Sequence, residues 1–472
     1  MVLYENGSAK NVFHFFEEIA RIPRGSGNTG KIADYLVSFA NGRGLRNYRD
    51  AKDNVVIWKP ATPGYEKNPA VILQGHTDMV AEKTPGLPKD MTREGVDIYT
   101  DGDFLRAHGT TLGGDDGIFV AYALALLDSK DAQHPEIEAV FTSDEEVGLL
   151  GATALDTSVL HGRTMINVDS DDEGVFTVGC AGGMRSDLTL PIERSSCILQ
   201  AYEIVISGLA GGHSGAEIDK GRANATKLMG DFLSSLSGIR ICDLHGGKAD
   251  NAIPRECVAV ICAAADPSGA AADFLAKMRE RYGDIEPDMK ITVRETAASL
   301  PMTAESTGRA IKLITSVPDG VIAMSTDIPG LVQTSLNLGI TETRRDRLSL
   351  SHSVRSSKEN EKLALAKRLE EIVVSLGGSY SQRGEYPAWE YRKTSRIRDC
   401  MVKVYRETYG KDPKVVAIHA GLECGIFSGK MPGLDCISFG PDNFDIHTTE
   451  EHLSISSSVR CWEFLLEVLR RL

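Results

Sequence analysis

Ala70-Val71-Ile72-Leu73-Gln74-Gly75-His76-Thr77-Asp78 reads as a short apolar β-strand that ends on an imidazole and a carboxylate. Such a run, bounded by polar residues, fits a strand buried on both faces of a sheet. Two further runs end the same way. Ile137-Glu-Ala-Val-Phe141 leads into Asp144-Glu145-Glu146, and Thr164-Met-Ile-Asn-Val168 leads into Asp169. In open α/β sheets, sites form beyond the carboxyl ends of strands, and three chemistry-bearing strand ends agree here. Val55-Val-Ile-Trp58 adds a strand, and residues 116–128 read as a buried helix. Helical faces also recur at Val12, Phe13, Phe16, Ile19 and Ala20, and at Ile32, Tyr35, Leu36 and Phe39. Strands alternating with helices predict an α/β domain, its sheet flanked by helices on both faces.

Near residue 186 the pattern changes. From about 199 to 380 come Tyr202-Glu-Ile-Val-Ile206, a helix around 219–235, Val258-Ala-Val-Ile-Cys262, a helix around 269–281, Ile291-Thr-Val293 and a second similar set. This predicts a separate α+β domain on an antiparallel sheet. The α/β pattern returns with a helix at 396–408, the strands Val415–Ile418 and Cys436–Phe439, and a closing helix through Phe464, Leu465, Val468 and Leu469. At 472 residues two domains are expected. The boundaries read from sequence are 1–186 and 382–472 for a discontinuous first domain, with 187–381 inserted.

Composition narrows the functional classes. Hydrophobic residues at 42% and charged residues at 25% are those of a globular protein. The 52 basic against 66 acidic residues leave a net charge of -14, which disfavours nucleic acid and anionic membranes as partners. The nine cysteines form no CxxC pair and mostly sit in apolar runs, as expected of reduced thiols in a cytoplasmic protein. Met1–Ser8 shows no leader pattern, and no run approaches the ~18 apolar residues of a membrane span.

His76, Asp115, Glu146, Asp169 and His447 form a ligand set for two divalent ions. Neutral imidazole and carboxylate suit zinc foremost, with manganese or cobalt as alternatives. Asp115 lies in Gly113-Gly114-Asp115-Asp116-Gly117, where glycines let backbone approach closely, and is the candidate to bridge the ions. Asp78, two residues beyond His76, points the same way on a strand and is placed to orient that imidazole. Glu145 is the candidate general base. Each residue alone also has an ordinary explanation, a turn aspartate or a solvated glutamate pair. A two-metal phosphoesterase would want a basic phosphate cradle, which the chain lacks.

The motifs Gly75-His76-Thr-Asp78-Met79-Val80, Gly109-Thr-Thr-Leu-Gly-Gly-Asp115-Asp116-Gly117, Ser143-Asp-Glu145-Glu146-Val-Gly148 and Asn167-Val-Asp169 resemble those of the co-catalytic zinc exopeptidases of the aminoacylase and carboxypeptidase type. Val178-Gly-Cys-Ala-Gly-Gly183, Gly211-Gly-His213-Ser-Gly215, Lys248-Ala-Asp-Asn251-Ala-Ile-Pro254 and His419-Ala-Gly-Leu-Glu423-Cys-Gly425 resemble the cytosolic aminoacyl-histidine dipeptidases. The likeness runs from the first helices to the last. It implies a zinc-exopeptidase-like catalytic domain with an inserted lid, and metal-dependent hydrolysis of Xaa-His dipeptides, including β-Ala-His, in a homodimer. His76 and Asp169 would hold one ion, Glu146 and His447 the other, with a cis peptide after the bridging Asp115. His213 would stabilise the oxyanion. Asn251 and Arg355 would take the substrate carboxylate, with a surface ion pair as the other explanation for Arg355. His419 and Glu423 are either pocket residues or core hydrogen-bond partners. Asp116 stands where many relatives carry Asn. Sibling activities remain open, namely broader di- and tripeptide cleavage or N-acyl amino acid deacylation, as does a non-catalytic scaffold.

Overall fold

The computed structural model describes residues 7–297 and 299–472. The sequence reading of Met1–Ser8 therefore falls mostly outside it. The chain divides into two compact units, one of residues 1–180, 391–417 and 422–472, the other of residues 181–390 and 418–421.

The first unit is built on an eight-stranded mixed sheet. Its centre is four neighbouring strands, Ile137–Thr142, Val71–His76, Thr164–Asn167 and Asp435–Ser438, paired in parallel. Parallel strands carry all their carboxyl ends on one edge, so His76, the turn after Thr142, Asp169 and the loop after Ser438 share that edge. Val71–His76 is buried at every position, Gln74 and His76 included, as a central strand covered on both faces requires. Antiparallel strands Arg46–Arg49 and Val55–Lys59 extend one side.

The helix Gly114–Asp128 is apolar around its whole circumference, and Ile118 to Leu127 are all buried. It runs close to Val71–His76 because Gly75 lacks a side chain: a Cβ there would collide with Asp116 Oδ2 and the Phe119 ring. Phe13, Phe16 and Ile19 of the helix Lys10–Ala20 join the same core. A second, four-stranded sheet links Asn443–Phe444, His452–Ser454, Phe104–Ala107 and Ile98–Asp101. Sequence reasoning had no expectation for these short strands.

The second unit is a nine-stranded sheet whose pairings are antiparallel. Gln200–Ser207 alternates buried and partly exposed residues, the mark of one covered face. The helix expected at 219–235 spans only Ala225–Ser234. Gly221 at φ 64 breaks the segment before it. Asn224 then caps the helix by accepting from Thr226 N and Lys227 N.

Candidate metal centre

His76 occupies the last position of its strand, and 1% of its side chain is exposed. Its Nε2 lies 3.0 Å from Asp115 Oδ1 and 3.7 Å from Asp169 Oδ1. His447 Nε2 lies 3.1 Å from the other Asp115 oxygen, Oδ2, and 3.0 Å from Glu146 Oε1. The two oxygens of one carboxylate therefore face two different imidazoles. The five residues expected as metal ligands come together on one strand edge. Asp115 reaches this place because the chain leaves helical geometry at Asp115 and Asp116, and the peptide bond between them is cis.

The electrostatics match the geometry. Burial disfavours charge on His76, yet Asp115, Asp169 and Asp78 outweigh it and push the imidazole well above its ordinary pKa. Asp115 and Glu146, against a smaller effect of burial, raise His447 to about 10. Burial, together with Asp169, pushes the Asp116 carboxyl well up. The site pulls protons onto both imidazoles because its carboxylates outnumber nearby cations. Arg24 is close, but its guanidinium is spent on the carbonyls of Thr77, Asp78 and Gly113. Glu146 Oε1 is buried without a hydrogen bond, although His447 Nε2 is 3.0 Å away. A cluster of oxygen and imidazole donors carrying unneutralised negative charge and an orphaned carboxylate oxygen fits divalent cations. Among the described residues three sets of donor atoms lie close enough to hold an ion: His76 with Asp116 and Asp169, His76 with Glu145 and Glu146, and Asp115 with Glu146 and His447. Asp116, not named as a ligand from sequence, enters the first set, while its oxygens also accept from His76 N and Phe119 N.

Asp78 is fully buried. Its Oδ1 is 3.4 Å from His76 Nδ1, and its own carbonyl is nearer, at 3.1 Å. The carboxylate also accepts from Glu145 N at 3.0 Å and Glu146 N at 3.4 Å. Strand alternation does not separate Glu145 from Glu146, because the strand stops at Thr142 and Asp144 turns the chain at φ 52. Asp78 holds that turn. Burial, with Asp169, Glu423 and Glu146 nearby, pushes the Glu145 carboxyl well up, and His76 opposes this. Glu423 has no exposed surface and accepts from Gln74 Nε2 and Thr142 Oγ1. Burial lifts it to about 7.

The second unit holds the remaining candidates. Arg355 is 7% exposed and donates to Tyr386 Oη at 2.9 Å, while its Nε has no partner. Among the described residues no carboxylate forms an ion pair with it, so a surface ion pair does not explain it. His419 is buried, bonded through Nε2 to Ser335 Oγ at 2.7 Å, and held neutral by burial and by Arg355, with a pKa near about 3. His213 Nδ1 accepts from Gly215 N and Ala216 N, which leaves the proton of the neutral ring on Nε2. Asn251 is exposed, and its carbonyl accepts from Ser214 N. Sequence reasoning missed Glu451 and Arg24, whose contacts are to main chain far away in sequence.

A mixed sheet whose central parallel strands carry an imidazole–carboxylate cluster at their carboxyl ends has the arrangement of a metal-dependent hydrolase. The model of Peptidase family M20/M25/M40 matches residues 72–471, and the chain belongs to that family. It is 34% identical over 479 residues to the cytosol non-specific dipeptidase of Escherichia coli (strain K12), covering 98% of both chains. It superposes on the aminoacylhistidine dipeptidase of Vibrio alginolyticus with a TM-score of 0.93 at 34% identity, covering 98% of this chain and 97% of that one. An aminopeptidase of Bacillus cereus shares the fold, with a TM-score of 0.57 at 15% identity over 98% of each chain.

Proposed function

We propose that the chain is a metal-dependent dipeptidase that prefers Xaa-His substrates, including β-Ala-His. The observation that carries this is Asp115, whose two carboxylate oxygens face His76 and His447 separately, as a bridge between two cations requires. Two divalent ions, zinc foremost, would supply acidification of a water and polarisation of the scissile carbonyl at this site. His76 and Asp169 would hold one ion, Glu146 and His447 the other. Glu145 takes the proton of the attacking water and returns it to the departing amine. Asp78 fixes both His76 and the Glu145 turn. In the inserted unit, read from sequence as a lid domain at 187–381, His213 Nε2–H is the donor for the oxyanion and Arg355 the partner of the substrate carboxylate. Asn251 assists Arg355, and His419 lines the pocket beside it. Glu423, with its hydrogen bonds to Gln74 and Thr142, takes the other role read for it, that of a core hydrogen-bond partner.

The Escherichia coli relative is named non-specific, which favours a second reading, cleavage of dipeptides without a histidine preference. Free cysteines throughout support a cytoplasmic setting, and no described helix is long and apolar enough to cross a membrane. Metal-stripped protein would be given zinc, manganese or cobalt and tested on β-Ala-His, Gly-His, Ala-Ala and an N-acetyl amino acid. Metal-dependent cleavage favouring the histidine peptides is expected. Equal rates on Ala-Ala would select the non-specific reading, and inertness with every metal would overturn both. Sedimentation equilibrium checks the homodimer.

A further inference from the structure

Glu451 is 3% exposed and has no cationic partner among its hydrogen bonds. Its Oε2 accepts from Leu112 N at 2.8 Å and Gly113 N at 2.9 Å, and its Oε1 from Gly114 N at 2.8 Å and Asp115 N at 3.4 Å. One carboxylate thus takes up a run of N–H groups in the loop that delivers Asp115. Burying a carboxylate is costly unless such donors replace water. Opposite it, Arg24, 2% exposed, donates Nη2 to the Gly113 carbonyl and Nη1 to the carbonyls of Thr77 and Asp78. The Gly113 residue, at φ 70, is therefore gripped at its N–H by Glu451 and at its C=O by Arg24. Arg24 ties this loop to the end of the His76 strand. Glu451 ties it to the segment that carries His447, four residues earlier in the chain.

We propose that Glu451 and Arg24 are positioning residues that set the spacing of the two cation subsites, Glu451 governing the one served by His447, Glu146 and Asp115. This rests on the two-cation reading of the site. The logic is geometric: Asp115 serves both imidazoles, so its orientation must suit both loops together. Glu451 bonds the Asp115 backbone from within the His447 segment, as does the Asn443 side chain, and Glu451 alone of the two also takes the N–H groups of Leu112, Gly113 and Gly114. Without it, Asp115 keeps its strand-side partner His76, whereas the loop that delivers Asp115 loses four hydrogen bonds to the His447 segment.

The test is titration of metal-stripped protein with Co(II), followed by visible absorption, in wild type, Glu451→Gln and Glu451→Asp. Gln turns an amide NH₂ toward donors, and Asp retracts the carboxylate by one methylene. The expected result is one equivalent bound as in wild type and a second weakened about 10–100-fold, the scale on which groups supporting metal ligands act. Wild-type constants for both equivalents, or equal weakening of both, in a variant whose stripped form melts cooperatively would overturn the proposal. Should neither variant fold, hydrogen exchange of the stripped wild type decides. Protection of the Leu112–Asp115 amides supports the clamp, and exchange as fast as at exposed loops overturns it. Neither readout uses peptide hydrolysis. A wild type that binds two equivalents yet cleaves no dipeptide overturns only the proposed activity.

Discussion

Glu145 and Glu146 are adjacent carboxylates with different surroundings. Glu146 Oε1 faces His447, while the Glu145 backbone is bonded to Asp78 and its carboxyl sits near Asp169 and Glu423. Removing the Glu145 carboxyl deletes the group that moves the proton and leaves the proposed donor set for both ions. Glu145→Ala is expected to bind both metals while kcat falls about 10²–10⁴-fold, the usual contribution of a general base. Metal content by elemental analysis beside steady-state kinetics checks this, and full turnover would sink the role. Arg355 makes a complementary case. It is buried without a carboxylate partner, an arrangement that awaits an anion. Arg355→Ala should lower kcat/KM for free dipeptides about 10–100-fold, from the loss of charge-assisted hydrogen bonds. The same variant should cost a C-terminally amidated dipeptide almost nothing. A parallel loss on the amide would place Arg355 in folding rather than recognition.

At the scale of elements, Asp319 precedes the strand Gly320–Met324 and joins two neighbours. Its Oδ1 accepts from Leu338 N at 2.8 Å and from Asn224 Nδ2, the residue that caps the helix Ala225–Ser234. Burial raises its pKa from 3.8 to about 6, against the opposing effect of the Leu338 N–H and Lys227. An acid whose folded pKa is raised costs nothing below its unfolded value. The cost grows between pH 3.8 and about 6 and is complete above that. The full shift corresponds to about 3 kcal/mol, and partial exposure of the residue trims this to about 1–2 kcal/mol. Asp319→Asn keeps the Oδ1 acceptor and removes the titration. Urea unfolding should show the variant gaining that amount on wild type between pH 4 and 7, and parallel pH profiles would refute it. Elements of this kind differ in how openly the sequence declares them. The strands ending at His76, Thr142 and Asn167 are legible because a short, mostly apolar run bounded by polar residues has few alternatives. Asn443–Phe444 and His452–Ser454 are not legible, being too short for any period to register. His76, Glu146 and Asp169 are legible as ligands because they end or follow those strands, and Asp115 because glycines surround it. Glu451 was not, because it acts by accepting main-chain N–H groups, which leaves no pattern in side-chain identity.

For the whole molecule, the chain leaves the first unit at Cys180 and returns to it at Tyr391; each unit carries its own hydrophobic core, and among the described residues the donor sets that could hold a metal lie in the first. Units with separate cores can unfold in separate steps. A ligand that binds the native state alone stabilises what it binds, by about 2.7 kcal/mol at a hundredfold excess over its dissociation constant. For a unit of this size each kcal/mol raises Tm by about 2–4 °C, so a bound metal is worth about 5–10 °C. Differential scanning calorimetry of stripped and zinc-loaded protein is therefore expected to show two transitions, of which zinc raises one. That transition should belong to the first unit, which hydrogen exchange at Val71–His76 and at Gln200–Ser207 would assign by temperature. His447→Ala should abolish part of the shift while leaving the metal-insensitive transition where it was. A single transition, raised as a whole by zinc, would mean that the units unfold as one cooperative block. A shift confined to the transition of the second unit would place the metal outside the His76, Asp115 and His447 cluster, and with it the chemistry assigned to that edge of the sheet.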